Sequence, residues 1–512
     1  MGSSSFLRVR RMVPSGVVPV RQRRVCHILA ALPAVVLGVN LQHAAAIETG
    51  RSAAMYARLD EYLTAQLERA RIPGAALVVV EADRIAHVAS FGSAGPSGER
   101  ITPQTPFSVG SVSKSFTALA ALQLMEQGLL DLDASVQRYL PWLEVTERGG
   151  AAPITIRHLL SHTSGLSTRS GRRIQGDETL TQAVSNLARF ELVAAPGERF
   201  EYSNSNYQVL GAVIEAITGT AFADTIEHGV FEPLDLRHAH TRDSSAVADH
   251  LASGHRYWFG WPVAEDRGPS AVSAVPSGGL MLSAEDLGRY LLAWLNGGTL
   301  GGSRVLSPGS VDLAFQPVAR VPRGGEYGLG WQLKLSESFG IWHAGSTSGF
   351  HAHVALDRAS RRGFALLLNA ESYVSGPAIG KLGVEVGRAL SGEAPVPIGG
   401  PGIPLALGGL MLFVALQALF CVRAVIALSK SRRAAPPPAA AALRHLTVSI
   451  LLAIALSLTA LVGLPESNDI GWLGLVHAAP DAGWLLLAIA VQAVLYAMLR
   501  VPVWLRAQRP TP

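Results

Sequence analysis

The chain holds 512 residues, 49% of them apolar and only 16% charged, at a mean hydropathy of +0.28. That length exceeds one ordinary domain, and that charge falls well below the roughly 25% typical of soluble chains, which excludes disordered, collagenous and disulfide-scaffold proteins. The 43 basic and 38 acidic residues are unevenly spread: residues 1–46 carry six Arg and no acid, 396–512 carry eight basic and three acidic residues, and the 349 between carry 29 basic and 35 acidic, a net of −6. A basic nucleic-acid footprint is thus absent from the part large enough to fold, and the positive charge sits beside apolar segments, where membranes favour it. Only Cys26 and Cys421 occur, so the middle builds no disulfide or thiolate metal site.

In chain order, a basic stretch ending at Arg24, an apolar core from Val25 to Val39 and the small residues Ala44, Ala45 and Ala46 predict a cleaved signal peptide over 1–46. An uncleaved anchor is the alternative, but the apolar core is shorter than the ~20 residues a span needs. Ala75–Val80 and Ile85–Phe91, joined by a polar tip at Glu81–Arg84, predict a hairpin. Gly110-Ser111-Val112-Ser113-Lys114 opens an apolar run, Phe116 to Met125, that ends at Gly128, placing Ser111 at or just before the first turn of a helix. Asn204–Ile217, stopped by Gly219, and Ser283–Leu295, opened by Ser-x-x-Asp, read as further helices. A second hairpin, His353–Leu356 with Gly363–Leu368, closes the domain. Strands from both ends around a helical insertion predict an α+β fold, an antiparallel sheet with flanking helices, over residues 47–395.

Residues 396–403, rich in Pro and Gly, read as a linker to a membrane region over 404–512. Its nearly uncharged runs at 404–422, 446–464 and 484–499 have spanning length. The loop after the first holds Lys430, Arg432, Arg433 and Arg444, the next holds only acids, and Arg500, Arg506 and Arg509 follow the third. The positive-inside rule then puts the first loop and the C-terminus in the cytoplasm and the 47–395 domain outside the inner membrane.

Chemistry concentrates at Ser111 and Lys114, which at a spacing of three share a helix face. A serine hydroxyl needs a base, and an ammonium serves only when burial or a helix N-terminus lowers its pKa. Arginine cannot do this, and among 39 Arg and four Lys only Lys114 has a serine three residues before it. Tyr202-Ser203-Asn204 and Trp342-His343-Ala344-Gly345-Ser346 follow in order. His158 and His162 stand four apart without His-Glu-x-x-His or a nearby cysteine, so no metal is expected. His351 and His353 alternate on one strand face, where a structural role outweighs a place in the cleft. Ser277–Gly279 lacks the lysine of a phosphate loop. The loops 168–179 and 256–276, expected to line the pocket, carry no readable pattern.

These motifs, with Ile154 to Leu166, Pro276-Ser277-Gly278-Gly279-Leu280 and Tyr327-Gly328-Leu329-Gly330-Trp331, resemble the serine hydrolases related to penicillin-binding proteins and class C β-lactamases over about Ala53 to Leu390. The resemblance implies an acylated nucleophile at Ser111, a base at Lys114, and a proton shuttle to the leaving group at Tyr202. It also implies an oxyanion hole from the backbone N–H groups of Ser111 and Ser346, and substrate contacts at Asn204, His343 and Gly345, with no cofactor. In β-lactamases and carboxypeptidases the third motif commonly begins with Lys; here it begins with His343, mostly neutral at pH 7, which weakens recognition of a carboxylate and favours neutral amides or esters.

Three spans behind an exported hydrolase resemble the membrane peptidases that mature nonribosomal peptide and polyketide products by removing an N-acyl-D-amino-acid leader. The expected partners are a small-molecule or peptide substrate, N-acylated in this reading, and the membrane, with no nucleic acid. Whether a transporter or a second copy joins them is open. The alternatives are a peptidoglycan D,D-carboxypeptidase or β-lactamase, an esterase, and, in another class, a non-catalytic cell-wall binding or sensing protein. Ser111, Lys114 and Tyr202 together argue against the last.

Overall fold

The computed structural model of the chain describes residues 50–143, 153–173, 179–186, 192–265, 271–322, 324–334, 339–371, 376–399, 405–431, 437–467 and 471–508. The leader expected at 1–46, linker residues 400–403 and the loop arginines Arg432 and Arg433 lie outside them. The chain divides between Arg58 and Leu59, inside a helix over 50–70, and the unit from Leu59 onward carries everything below.

Strands β1 (Gly74–Glu81) and β2 (Arg84–Gly92) form the first hairpin. Glu81 pairs with Arg84, so the turn shrinks to two residues, with Ala82 at φ 55°. At the far end the third motif, expected ahead of the closing hairpin, is itself a strand. The end of the domain is a three-strand meander: β3 (Ile341–Thr347), β4 (Phe350–Asp357) and β5 (Arg362–Leu368). Its glycine and polar residues hide it from a hydrophobic-alternation reading. The sheet order is β2-β1-β5-β4-β3, continued by three two-residue strands at Gln332–Leu333, Glu326–Tyr327 and Ala319–Arg320, with every neighbour antiparallel.

β1 and β5 are apolar without alternation because helices cover both faces of the sheet centre. Four helices organise the unit: α1 (Ser113–Glu126), α2 (Asn204–Thr218), α3 (Ala284–Leu295) and α4 (Gly376–Leu390). Val78, Ala365 and Val354 lie in register on one face, beneath Gly288 of α3; Leu77, Leu366 and His353 lie on the other, beneath Gly383 of α4. A Cβ on Gly288 would stand 2.8 Å from the Val78 side chain, so the helix backbone itself packs on the sheet. Each buried aliphatic side chain here contributes roughly 1.5–3 kcal/mol. α1 is apolar on all sides and buried from Ser113 to Leu122, the mark of a helix running through a core. α2 begins at Ser203, whose hydroxyl accepts from Ser205 N–H, and ends at left-handed Gly219; α3 begins where Ser283 Oγ accepts from Asp286 N–H.

The stretch 256–276, unreadable in sequence, contains a hairpin of His255–Trp258 with Trp261–Ala264, which joins Ala370–Glu371 in parallel, and a short helix Val275–Gly278. Likewise 168–173 is helical. The described start of the linker is packed rather than free: Ile398 N–H donates to Gln66 Oε1 at 2.9 Å and Tyr62 OH to Val396 O at 2.8 Å. Beyond it three helices, Leu405–Lys430, Ala439–Gly463 and Pro480–Ala507, are long and apolar enough to cross a membrane. Each outlasts its apolar run because helical hydrogen bonding continues into the polar ends.

Candidate active site

The site forms where the start of α1, the start of α2, the Pro276–Leu280 turn and the outer edge of β3 converge. A single 3-10 turn, Gly110–Val112, precedes α1 and presents Ser111, partly open to solvent, above the buried helix. Gly110 adopts φ +52°, and a Cβ there would lie 2.8 Å from Ser346 N. From the other side, a Cβ on Gly345 would stand 1.9 Å from Val109 O and 2.7 Å from Ser111 N. Only two glycines allow this approach of a strand edge to the nucleophile turn. Among the described residues β3 has an outer strand partner only at Ile341 and Trp342, so from His343 onward that edge faces the turn. The amides of Ser111 and Ser346, the expected oxyanion donors, are thereby brought together.

Lys114 is fully buried. Its Nζ lies 3.2 Å from Ser111 Oγ, 2.8 Å from Asn204 Oδ1 and 2.6 Å from Ser277 O. Burial lowers the amine from its ordinary value of 10.5 to about 7. A neutral amine has two N–H donors and one lone pair, which suits this set: Asn204 and Ser277 accept, and the lone pair faces the Ser111 hydroxyl. The Ser277 carbonyl is the part sequence reasoning missed, since Ser277–Gly279 stood there only as a stretch without the lysine of a phosphate loop. Ser113 Oγ holds that turn in place, donating to Gly110 O at 2.7 Å and accepting from Leu280 N–H at 3.1 Å.

Tyr202 is half-buried, with Lys114 Nζ 4.9 Å from its ring centroid. Burial raises its hydroxyl pKa, against the opposing pull of a hydrogen bond with Ser111, so it is a proton-bearing donor rather than a resident phenolate. His162 positions it. This histidine sits at φ +58°, with its ring centroid 4.3 Å from that of Tyr202. Its Nδ1 accepts from Ser203 N–H at 3.2 Å and Asn206 Nδ2 at 2.9 Å, which puts the ring proton on Nε2. Burial, then Lys114, keeps it neutral. His158, by contrast, caps its own short helix, accepting from Thr155 N–H at 3.2 Å. Among the described residues no cluster is arranged to hold a metal.

His343 is buried, its Nδ1 donating to Ala344 O at 2.8 Å and its Nε2 accepting from Tyr327 OH at 3.1 Å. Burial, then Lys114, lowers it to about 3, so the third motif offers no cation at any physiological pH. The two strand histidines diverge. His351 Nδ1 lies 2.7 Å from Glu371 Oε2, which also accepts from Ser346 Oγ at 2.8 Å, behind the oxyanion edge. His353 stacks between Trp342 and Phe364 and has no part in the cleft.

A family model described as Beta-lactamase matches residues 59–385. The curated Protein flp of Staphylococcus aureus (strain N315) is 26% identical over 319 residues, 62% of this chain and 63% of that protein, so the chain spans less than two thirds of that relative. Penicillin-binding protein 4 of Amycolatopsis lactamdurans is 31% identical over 315 residues, 58% of this chain and 81% of that protein. Among solved structures, an octameric penicillin-binding protein homologue from Pyrococcus abyssi superposes with TM-score 0.58 at 23% identity, covering 67% of this chain and 79% of its own. EstCE1, a hydrolase with promiscuous acyltransferase activity, gives TM-score 0.58 at 25% identity, covering 66% of this chain and 98% of its own. The chain therefore belongs to the Beta-lactamase family, the serine-hydrolase family related to penicillin-binding proteins and class C β-lactamases.

Proposed function

We propose that the protein is an exported, membrane-anchored peptidase that cleaves an amide bond through a Ser111 acyl-enzyme, removing an N-acyl-D-amino-acid leader from a secondary-metabolite precursor. The observation that carries the reading is Lys114 Nζ at 3.2 Å from Ser111 Oγ with its pKa lowered to about 7. Lys114 takes the Ser111 proton as Oγ bonds to the scissile carbonyl carbon, and the carbonyl oxygen gains its charge against the amides of Ser111 and Ser346. Tyr202 passes its hydroxyl proton to the departing nitrogen and recovers one from Lys114. Water then attacks the acyl-enzyme, giving a proton to Lys114, and Ser111 leaves reprotonated. Asn204, bonded to Lys114, holds the substrate amide, and His343 and Gly345 border its other side.

Two features favour a lipid-tailed, uncharged substrate over a peptidoglycan terminus. Neutral His343 supplies no partner for a carboxylate. The three apolar helices hold the domain at a membrane, where an acylated precursor concentrates. In this reading residues 1–46 are the cleaved signal peptide, 400–403 lead from the packed Val396–Ile398 segment into the first span, and the domain faces the periplasm. An esterase is the second reading, favoured by the same uncharged cleft.

The test is labelling with a fluorophosphonate or a fluorescent penicillin, expected for the wild type and lost in Ser111→Ala. Equal labelling of both removes the nucleophile assignment. Intact-mass analysis of products from N-acyl-D-aminoacyl peptides, D-Ala-D-Ala peptides, nitrocefin and simple esters then assigns the substrate class; preferred turnover of the D-Ala-D-Ala peptide or nitrocefin overturns the prodrug reading.

A further inference from the structure

We infer that the hairpin His255–Trp258/Trp261–Ala264 is an interfacial anchor, its outer face seated in the lipid headgroup layer of the membrane crossed by the three C-terminal helices. The inference rests on the proposed membrane-spanning arrangement. The hairpin tip is fastened to the third of those helices: Phe259 N–H donates to Asp481 Oδ2 at 3.1 Å, and Asp481, 3% exposed, lies in the first turn of Pro480–Met498. Trp258 and Trp261 flank that turn, so each lies within about 8 Å of chain from the bonded amide. They are therefore at the depth where the span meets water.

The outward residues have the composition of an interface. Trp258 pairs with Trp261 and Arg256 with Val263, placing all four on one face, while His255 and Tyr257 point inward and Tyr257 OH donates to Ala70 O at 2.7 Å. Trp261 is 61% exposed and Val263 47%, high values for side chains with no polar task. The Arg71 guanidinium lies 3.9 Å over the Trp261 ring and donates to Gly260 O at 2.9 Å; Arg256 pairs with Glu265 at 2.9 Å. Amphipathic indoles with arginines at the end of a span are what the headgroup region selects, through partial burial of the ring and attraction to phosphate.

The root of the same hairpin reaches the site. Arg256 lies opposite Glu371, whose carboxylate holds Ser346 Oγ, and Ser348 Oγ donates to Glu265 at 2.5 Å. The anchor thus sets the cleft edge at a fixed height above the bilayer, where a lipid-tailed substrate presents its amide.

The test uses the full chain in phosphatidylcholine/phosphatidylglycerol vesicles, with Val263→Cys labelled by a polarity-sensitive nitrobenzoxadiazole in a Cys26→Ser/Cys421→Ser background. The expected result is blue-shifted emission, quenched about threefold more by shallow doxyl-lipid than by aqueous iodide. Iodide quenching without doxyl quenching overturns the inference. In parallel, Trp258→Asp/Trp261→Asp is expected to lower kcat/KM about tenfold for a long-chain acyl substrate while sparing its short-chain analogue; an equal effect on both chain lengths also overturns it. Fluorophosphonate labelling and vesicle flotation on the same samples separate the layers. A chain that floats and labels but shows a water-exposed probe refutes the hairpin alone, whereas a chain that does not float refutes the membrane reading beneath it.

Discussion

Replacing Lys114 by arginine is the sharpest test of the site, because arginine stays protonated where the buried lysine gives up its proton. Burial brings the lysine amine from 10.5 to about 7. At pH 7 about half of the molecules then carry a free lone pair, against roughly three in ten thousand for an unperturbed lysine. Arginine stays protonated, so Lys114→Arg is expected to lower the rate of Ser111 acylation by about a thousandfold or more. The assay is the second-order rate of fluorophosphonate labelling followed by intact mass, with melting temperature as the folding control. In the wild type the same rate should rise with pH through about 7 and level off, since only the deprotonated amine is competent. A folded Lys114→Arg protein that labels at more than a tenth of the wild-type rate, or a wild-type profile flat from pH 5 to 9, refutes the neutral-amine mechanism.

The same shift makes a stability statement. The folded state gives up this proton about 3.5 pH units before the unfolded chain does, so between about pH 7 and 10.5 the unfolded state binds more protons and stability rises with pH. Below that window burial of the charge costs on the order of 5 kcal/mol at 1.36 kcal/mol per unit.

Other expected outcomes follow from individual contacts. Lys114→Met, which cannot be charged, should melt higher than wild type relative to its pH 10 difference when both are scanned at pH 7, by differential scanning calorimetry; a difference independent of pH means the lysine is not buried in its charged form's disfavour. Tyr202→Phe keeps the ring against His162 and Lys114 but removes the proton relay, so turnover should fall about 10²- to 10⁴-fold in steady-state assays with the fold intact; a loss under threefold would transfer the relay to another group. Gly345→Ala puts a Cβ 1.9 Å from Val109 O, so strand and nucleophile turn must part. It should cost about 1–3 kcal/mol by denaturant unfolding and most of the labelling rate; unchanged labelling would mean that the Ser346 amide is not needed beside Ser111.

Much of the molecule was legible from local pattern because the physics involved is local. Ser111 and Lys114 meet over one helical turn, the first hairpin and the helices at Asn204 and Ser283 announce themselves by periodicity and caps, and three uncharged runs have the length of a bilayer. What decided the rest was contact across long separations. The third partner of Lys114 is the carbonyl of Ser277, 163 residues away, and a backbone carbonyl has no sequence signature. His162 looked like half of an unmade metal pair until folding placed its ring beside Tyr202 and spent its Nδ1 on Ser203 and Asn206. β3 was hidden because a strand that must press its backbone against the nucleophile turn carries glycine and polar residues where a core strand would carry valine. The neutrality of His343 likewise belongs to its burial rather than to its identity. Sequence thus named the groups able to do chemistry, whereas their protonation states and the donors aimed at the reacting carbonyl arose only when desolvation and close packing were imposed by the folded whole.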